Sequence, residues 1–396
     1  MTAGPAGLPG VSRPRIGFDA RYVTDRYHGI GRVAANLLAA LVELDEVDLV
    51  VYASPDGGDT RFDLEALANA NGRVTIRRTR APLLSPQEQA SWPVVLRRDR
   101  IDLFHSPFVI GPIVGSTPVV VTAHDLILEE YPASGPGRVA RAGYRVLAGA
   151  SLRRARAVIA ISEATARELA RWYPATRDRT RVIHNAVDPA FTVPVDEASM
   201  TRARARYGLP DRFVLAVGAA RPHKNHGALL QALAMIPDAA TRLVLVSAPD
   251  PRHPDPLASV PADDPLRARI LRIPQVAEED MPAVYRLATV FVFPSLVEGF
   301  GLPLLEAFAV GTPVIASDRS AVAEVAGDAA LLFDPEDATA LASQLAQAWD
   351  DAALRDRLRA AGTERLRAFT WPRAARQTVD LYRDVLGLDG VPRPRT

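Results

Sequence analysis

Short apolar runs rich in β-branched residues recur along the chain, and between them apolar positions return every three or four residues. The runs at residues 15–18, 49–52, 103–105, 119–123, 157–160 and 181–184 predict strands, and segments such as 30–43 and 163–172 predict the helices between them. The pattern then restarts. Strands are expected at 213–217, 242–246, 270–272, 290–293, 313–317 and 330–333, with helices at 226–234, 304–309 and 321–326. Two helical stretches, 337–367 and 371–385, close the chain, followed by GLDGVPRPRT, which reads as a frayed tail. Alternating β and α periods predict an α/β chain of two doubly wound parallel-sheet domains, joined near 188–211 where DPAFTVPVDE reads as a linker. Ligands of such sheets sit beyond the carboxyl ends of the strands, so the expected site is the cleft between the domains.

Composition narrows the classes. The 396 residues are 48% apolar and 23% charged with a net charge of +1, which fits a globular protein and gives no reason to expect nucleic acid. Without cysteine there is no disulfide, thiolate metal site or Cys nucleophile. The start, MTAGPAGLPGVSRPR, lacks the apolar core of a secretory signal and reads as a disordered lead, and no apolar run is long enough for a membrane span. Lys and Arg together number 47, and only Lys224 is lysine. In a chain that otherwise uses arginine, a position that keeps lysine points to a compact, flexible point charge.

Three stretches carry chemistry. FVFPSLVEGFGLPLLEAFAVG reads as strand, loop and helix, with Pro303 in the first helical turn and Gly311 at its end. Glu298 falls in the loop and Glu306 one turn into the helix. Gly299, Phe300 and Gly301 offer amides at a helix N-terminus, an anion site. AVGAARPHKNHGALL repeats the arrangement, with Gly218, Arg221, His223, Lys224 and Asn225 between strand and helix; two cations and free amides there suit a diphosphate. In YHGIGRVAANLL, Gly29, Gly31 and Ala34 match a dinucleotide fingerprint, but the preceding strand ends eleven residues earlier, which argues against a dehydrogenase. His124 ends a strand and is followed by Asp125, where it serves either a substrate or the loop; His105 and Asn185 read as structural. Eleven arginines against three acids lie between Arg138 and Arg181, either a solvated face or a patch for an anionic acceptor or membrane surface. There is no D-x-D, and His223 and His226 have no carboxylate near them in sequence, so neither a metal nor another cofactor is expected.

EGFGLPLLE, with GAARPHKNH upstream and GIGR near the N-terminus, resembles the retaining glycosyltransferases of family 4, which have the GT-B fold. The likeness runs over nearly the whole chain and is strongest from residue 213 to 335. It implies an acceptor-binding Rossmann-like domain at 1–190, completed by a final helix at 371–388 that crosses back, and a donor-binding domain at 191–370. By this resemblance Glu298 hydrogen-bonds the donor sugar, Glu306 the ribose, and Lys224 the diphosphate. Phe300 and Gly301 present amides to sugar and phosphate, Gly29 and Gly31 meet the phosphates, and His124 contacts the sugar. Gly218, His223, Asn225, Val276, Gly299 and Leu302 complete the expected donor site. Many relatives carry Arg after the glycine matching Gly218; here it is Ala219, which leaves Arg221 or His223 to supply the second charge, as in the subset with a P-[RH]-K-N loop. The implied activity is metal-independent, retaining hexosyl transfer from a nucleotide-diphosphate sugar, with GDP-mannose favoured, to a glycan, lipid-linked or small-molecule acceptor. The loops 82–92 and 108–118 are the expected acceptor side. The implied location is cytoplasmic, with peripheral membrane contact through 138–181. A GT-B nucleotide-sugar epimerase or a non-catalytic nucleotide-sugar-binding protein are the alternatives.

Overall fold

The computed structural model describes residues 13–24, 28–55, 62–131, 137–238 and 240–388, with the side chains of His28 and Asn71 excepted. Tyr27, residues 1–12 of the N-terminal lead and residues 389–396 of the tail lie outside these. The first sheet contains β1 (Arg15–Asp19), β2 (Asp48–Ala53), β3 (Val74–Arg78), β4 (Leu103–Ser106), β5 (Val119–Ala123), β6 (Ala157–Ala160) and β7 (Thr180–Val182). The second contains β8 (Val214–Val217), β9 (Leu243–Val246), β10 (Ile270–Ile273), β11 (Val290–Phe293), β12 (Val314–Ser317) and β13 (Leu331–Phe333).

The strand orders are β3-β2-β1-β4-β5-β6-β7 and β10-β9-β8-β11-β12-β13, with every recorded pair parallel. Both sheets are doubly wound, as the alternation predicts. Central strands such as β5 and β11 are buried at every position, because helices cover both faces. The order reverses between β1 and β4 in one sheet and between β8 and β11 in the other. Those reversals open the crevices in which ligands of such sheets bind, and the Lys224 and Glu298 loops follow β8 and β11.

Several local expectations change. β3 is an edge strand that ends in Arg77 and Arg78, so its pattern is too polar to read as a strand. The strand expected at 181–184 is β7, Thr180–Val182; Ile183 N still donates to the Ala160 carbonyl of β6, and His184 lies past the strand. The stretch 337–367 is two helices, Ala338–Asp350 and Ala352–Leu366, divided at Asp351, whose carboxylate caps the second through Leu354 N. The expected acceptor loop 82–92 is largely the helix Pro86–Arg98. Ser85 accepts from Glu88 N while Glu88 accepts from Leu84 N, a reciprocal cap that outweighs the internal Pro93. The joint between the domains holds the helix Glu197–Tyr207, whose arginine-rich face conceals its apolar contacts.

The last helix, Trp371–Leu386, belongs to the first core. Trp371, Ala375, Val379 and Tyr382 pack with Val33, Leu37 and Leu41 of the helix His28–Leu44. Trp371 Nε1 donates to the Val187 carbonyl at 2.8 Å. Buried His105 pairs through Nδ1 with the Tyr382 hydroxyl at 2.6 Å and through Nε2 with Thr122 Oγ1 at 2.8 Å, so its reading as structural is met. Tyr382→Phe leaves that imidazole nitrogen without its partner inside the core. The variant should lose about 1–3 kcal/mol of unfolding free energy in chemical denaturation, and an unchanged midpoint would contradict the assigned bond.

Candidate active site

The carboxyl ends of β5 and β11 meet across the cleft. At Gly299 the backbones come so close that a Cβ would stand 1.7 Å from the His124 carbonyl oxygen and 2.8 Å from Asp125 Cβ. Glycine is required there for close approach, and the contact fixes the EGFG loop against the first domain. Beside it lies a cavity of about 180 Å³, lined by Gly29, His124, Asp125 and Asn185 on one side and by Glu298, Gly299, Phe300, Gly301 and Leu302 on the other.

Two partly buried cation–carboxylate pairs organise this seam. Lys224 Nζ lies 2.5 Å from Glu298 Oε1 and 5.3 Å from the Phe293 ring centroid. The chain's one lysine and the first glutamate of EGFGLPLLE thus share a site although 74 residues separate them. Gly218, at φ 150°, lies under the lysine stem: a Cβ there would be 3.3 Å from Lys224 Cδ. Glu306 is only 5% exposed and has both oxygens engaged. Oε1 lies 3.0 Å from Arg32 Nη1 of the first domain, and Oε2 accepts from the Tyr285 hydroxyl at 2.9 Å. Burial opposes the charge on Arg32, but Glu306, Asp188 and Glu278 outweigh it and keep the guanidinium ionised. Each carboxylate in this apolar segment therefore has a cation beside it, as buried charge requires.

Two helix N-termini complete the cavity. The helix Leu302–Ala309 starts after Gly301 (φ 112°), with no side-chain cap and Pro303 in its first turn. The helix His28–Leu44 opposes it and carries Gly29 and Gly31 within its first turn, two residues earlier than the helix expected from residue 30. Gly29 faces the cavity. Gly31 packs on the turn at Ala20–Tyr22, where a Cβ would be 2.7 Å from the Tyr22 carbonyl. The N-terminal ends of both helices and the Lys224 ammonium give the site a positive field suited to a phosphate group.

His124 Nε2 lies 2.8 Å from the Pro107 carbonyl, which only accepts, so Nε2 carries the proton. Burial depresses its pKa to about 4, so the ring is neutral at pH 7 and Nδ1 is an acceptor. Asp125 lines the same cavity; burial, and then Glu298, raise its pKa, while its Oδ1 accepts from Ile127 N.

Other expected site residues lie elsewhere. Arg221 is half-exposed and pairs with Asp250 at 3.2 Å. Asn225, at φ 55°, donates to the Pro294 and Pro335 carbonyls and braces the end of β11. His223 is buried, with its pKa lowered to about 4 by burial, and its carbonyl accepts from Leu296 N. Val276 is buried in the second domain's core. Sequence reasoning missed Arg32, Asp125 and Tyr285 as site residues, and took Asn185 only as structural. The one available signal was the Arg directly after Gly31 in GIGR.

Among the described residues, no three His, Asp or Glu side chains cluster as metal ligands. Residues 27–191 match the family model for Glycosyltransferase Family 4, and residues 200–365 match that for Glycosyl transferases group 1. The O-antigen chain mannosyltransferase B of Escherichia coli is 30% identical over 371 residues, spanning 90% of this chain and 96% of that protein. The chain belongs to glycosyltransferase family 4. A D-inositol 3-phosphate glycosyltransferase of a Nocardioides species is 29% identical over 84% of this chain and 75% of its own length. The GT-B architecture recurs in sucrose-phosphate synthase from Thermosynechococcus elongatus, with a TM-score of 0.72, 23% identity, and coverage of 95% of this chain and 100% of that one. It recurs in Anabaena HepE, solved with UDP and glucose, with a TM-score of 0.69, 18% identity, and coverage of 96% and 100%. This family 4 chain is accordingly a glycosyltransferase by descent, and its two glutamates and lysine stand at the crevice of the second sheet.

Burial has a measurable consequence. His105 is held near pKa 3, and His124, His223 and His226 near 4, all chiefly by desolvation, against 6.5 in an unfolded chain. Between those limits unfolding takes up protons, so stability is full above about pH 6.5 and falls as pH drops toward 4. Glu168, raised by burial to about 7, and Asp125 and Glu88, also raised by burial, oppose this in part. Thermal midpoints recorded from pH 7.5 to 4.5 should decline below about pH 6.5; a flat profile would show that these histidines are not buried as neutral rings.

Proposed function

We propose that this protein transfers mannose from GDP-mannose to an acceptor hydroxyl with retention of anomeric configuration and without a metal ion. The observation that carries the reading is the Lys224–Glu298 pair beside a cavity flanked by two helix N-termini. The mannosyltransferase relative and the P-H-K-N sequence at residues 222–225 favour the mannosyl donor.

In this reading the diphosphate takes the Lys224 ammonium and the first-turn amides, and Glu298, released from the lysine, receives the sugar hydroxyls. Glu306 receives the ribose, and the Nδ1 acceptor of His124 faces the sugar. The bond from C1 to the phosphate oxygen stretches first, and negative charge grows where the donors already point, so little reorganisation accompanies the step. The acceptor oxygen then bonds to C1 on the face the phosphate leaves, and the departing phosphate oxygen takes the acceptor proton. Arg221 is the second cation of this proposal and would have to leave Asp250 to serve it. His223, Asn225, Val276 and Gly218 act through the shape of the donor loop.

We infer a further contact, with an anionic membrane surface, through the first domain. The described helices include none long and apolar enough to cross one. The helix Arg138–Arg154 exposes Val139 and Val146, 89% and 72% accessible, beside its arginines, which suits an anionic surface on the cytoplasmic side. The protein should co-sediment with phosphatidylglycerol vesicles but not with phosphatidylcholine, less so in high salt and less after Val139→Asp with Val146→Asp. Equal recovery from both lipids would refute the contact.

The reaction is tested with purified protein, a panel of nucleotide sugars and candidate acceptors. Nucleoside diphosphate should appear only when acceptor is present, and turnover should survive EDTA. Lys224→Ala should remove roughly 2–4 kcal/mol of transition-state stabilisation. Wild-type turnover in that variant would exclude the lysine from the chemistry, and loss of activity in EDTA with recovery on manganese would exclude the metal-free scheme.

A further inference from the structure

The EGFG loop is held from both domains at consecutive carbonyls. Ser320, first residue of the helix Ser320–Ala326, donates its hydroxyl to the Glu298 carbonyl at 2.7 Å. From the first domain, Ser162 Oγ and Thr165 Oγ1 approach the Gly299 carbonyl at 2.8 and 3.1 Å; Ser162 is the cap of the helix Glu163–Trp172. These two holding helices are tied to each other by one side chain. Glu324, one turn past Ser320, reaches across the interface and caps the N-terminus of the first-domain helix. Its Oε1 accepts from Glu163 N at 2.8 Å and its Oε2 from Ala164 N at 2.9 Å. Oε1 also receives His184 Nε2 at 2.8 Å, and the His184 ring lies 6.1 Å from that of Phe300, the next residue of the loop.

We propose that Glu324 is a positioning residue for glycosyl transfer: by clasping the two helices together it sets the Glu298–Gly299 backbone, and so the direction in which Glu298 meets the donor. The inference rests on the transferase reading for its kinetic consequence, but the clasp itself is a property of the protein without substrate. The chemistry of the contact is specific. Three N–H groups converge on two carboxylate oxygens, and the helix end adds a favourable field for negative charge. Glutamine has the same shape but only one acceptor oxygen, so its NH₂ would confront a backbone N–H. Aspartate keeps both acceptors on a shorter arm. A residue that merely fills space would tolerate Gln better than Asp; a clasp ranks them the other way.

The absence of cysteine allows a clean distance measurement. Val94→Cys in the helix Pro86–Arg98 and Ala353→Cys in the helix Ala352–Leu366, both exposed, take spin labels on opposite domains. In ligand-free protein, Glu324→Gln and Glu324→Ala should broaden and lengthen the interdomain distance distribution, and Glu324→Asp should restore part of it. With donor and acceptor, Gln and Ala should lower kcat by about tenfold to a hundredfold, the scale of a small misplacement of reacting groups, with KM for acceptor little changed. Ser162→Ala with Thr165→Val should reproduce the loss in kcat, and adding Glu324→Ala should deepen it less than multiplicatively, since all three hold the same loop through the start of one helix. A wild-type distance distribution in Glu324→Gln, or wild-type kcat in both Gln and Ala, overturns the proposal. If the unsubstituted chain transfers no sugar, the transferase reading fails, while the distance measurement still decides the clasp.

Discussion

Buried charge governs the seam between the two domains. Carboxylates cannot stay ionised in an apolar cleft without cations, and here the cations come from other parts of the chain: Lys224 from the loop after β8, Arg32 from the first helix of the opposite domain. The pairing explains why a strand–loop–helix that looks like core contains two glutamates. It also orders the elements around it. Glu306 ties the helix Leu302–Ala309 to the first domain, Tyr285 holds its other oxygen, and the backbone of Gly299 comes against His124 because no side chain intervenes. The site is thus held together by its own internal partners.

Electrostatics and backbone act together. Two helix N-termini point at the cavity from opposite domains, so their partial charges converge only when the domains are arranged as they are. The interface is correspondingly polar: Ser162 and Thr165 on the Gly299 carbonyl, Glu324 on a helix end, Arg32 on Glu306. Such contacts exchange for water more readily than the apolar cores within each domain.

What the sequence made legible follows from the range of the interactions involved. Strands buried on both faces, such as β5 and β11, announce themselves through continuous apolar runs, and the EGFG loop through its glycines at a strand end. The edge strand β3 and the helix Glu197–Tyr207 were hidden because much of each is polar and faces water. The helix Pro86–Arg98 was hidden by its proline, although its capping residues were readable. For the site, Glu298, Glu306 and Lys224 stood out by residue type and local setting. Their partners did not, since Arg32 and Glu306, or Glu324 and His184, meet only through the tertiary fold. Nor were the partners of Arg221 and Asn225 readable: in this structure they turn toward Asp250 and toward the Pro294 and Pro335 carbonyls.

The return of the last helix has a consequence for how the molecule comes into being. His105 and Tyr382 are bonded across 277 residues, and Trp371, Ala375 and Val379 fill the core laid down by the first strands. During synthesis the first domain leaves the ribosome with that groove uncovered and must wait for the whole of the second to be made. The second domain, contiguous in the chain, is able to close its own core earlier. The usual order of vectorial folding is therefore inverted: the domain that is translated first is completed last, and its open groove is the surface a nascent-chain chaperone would have to shield.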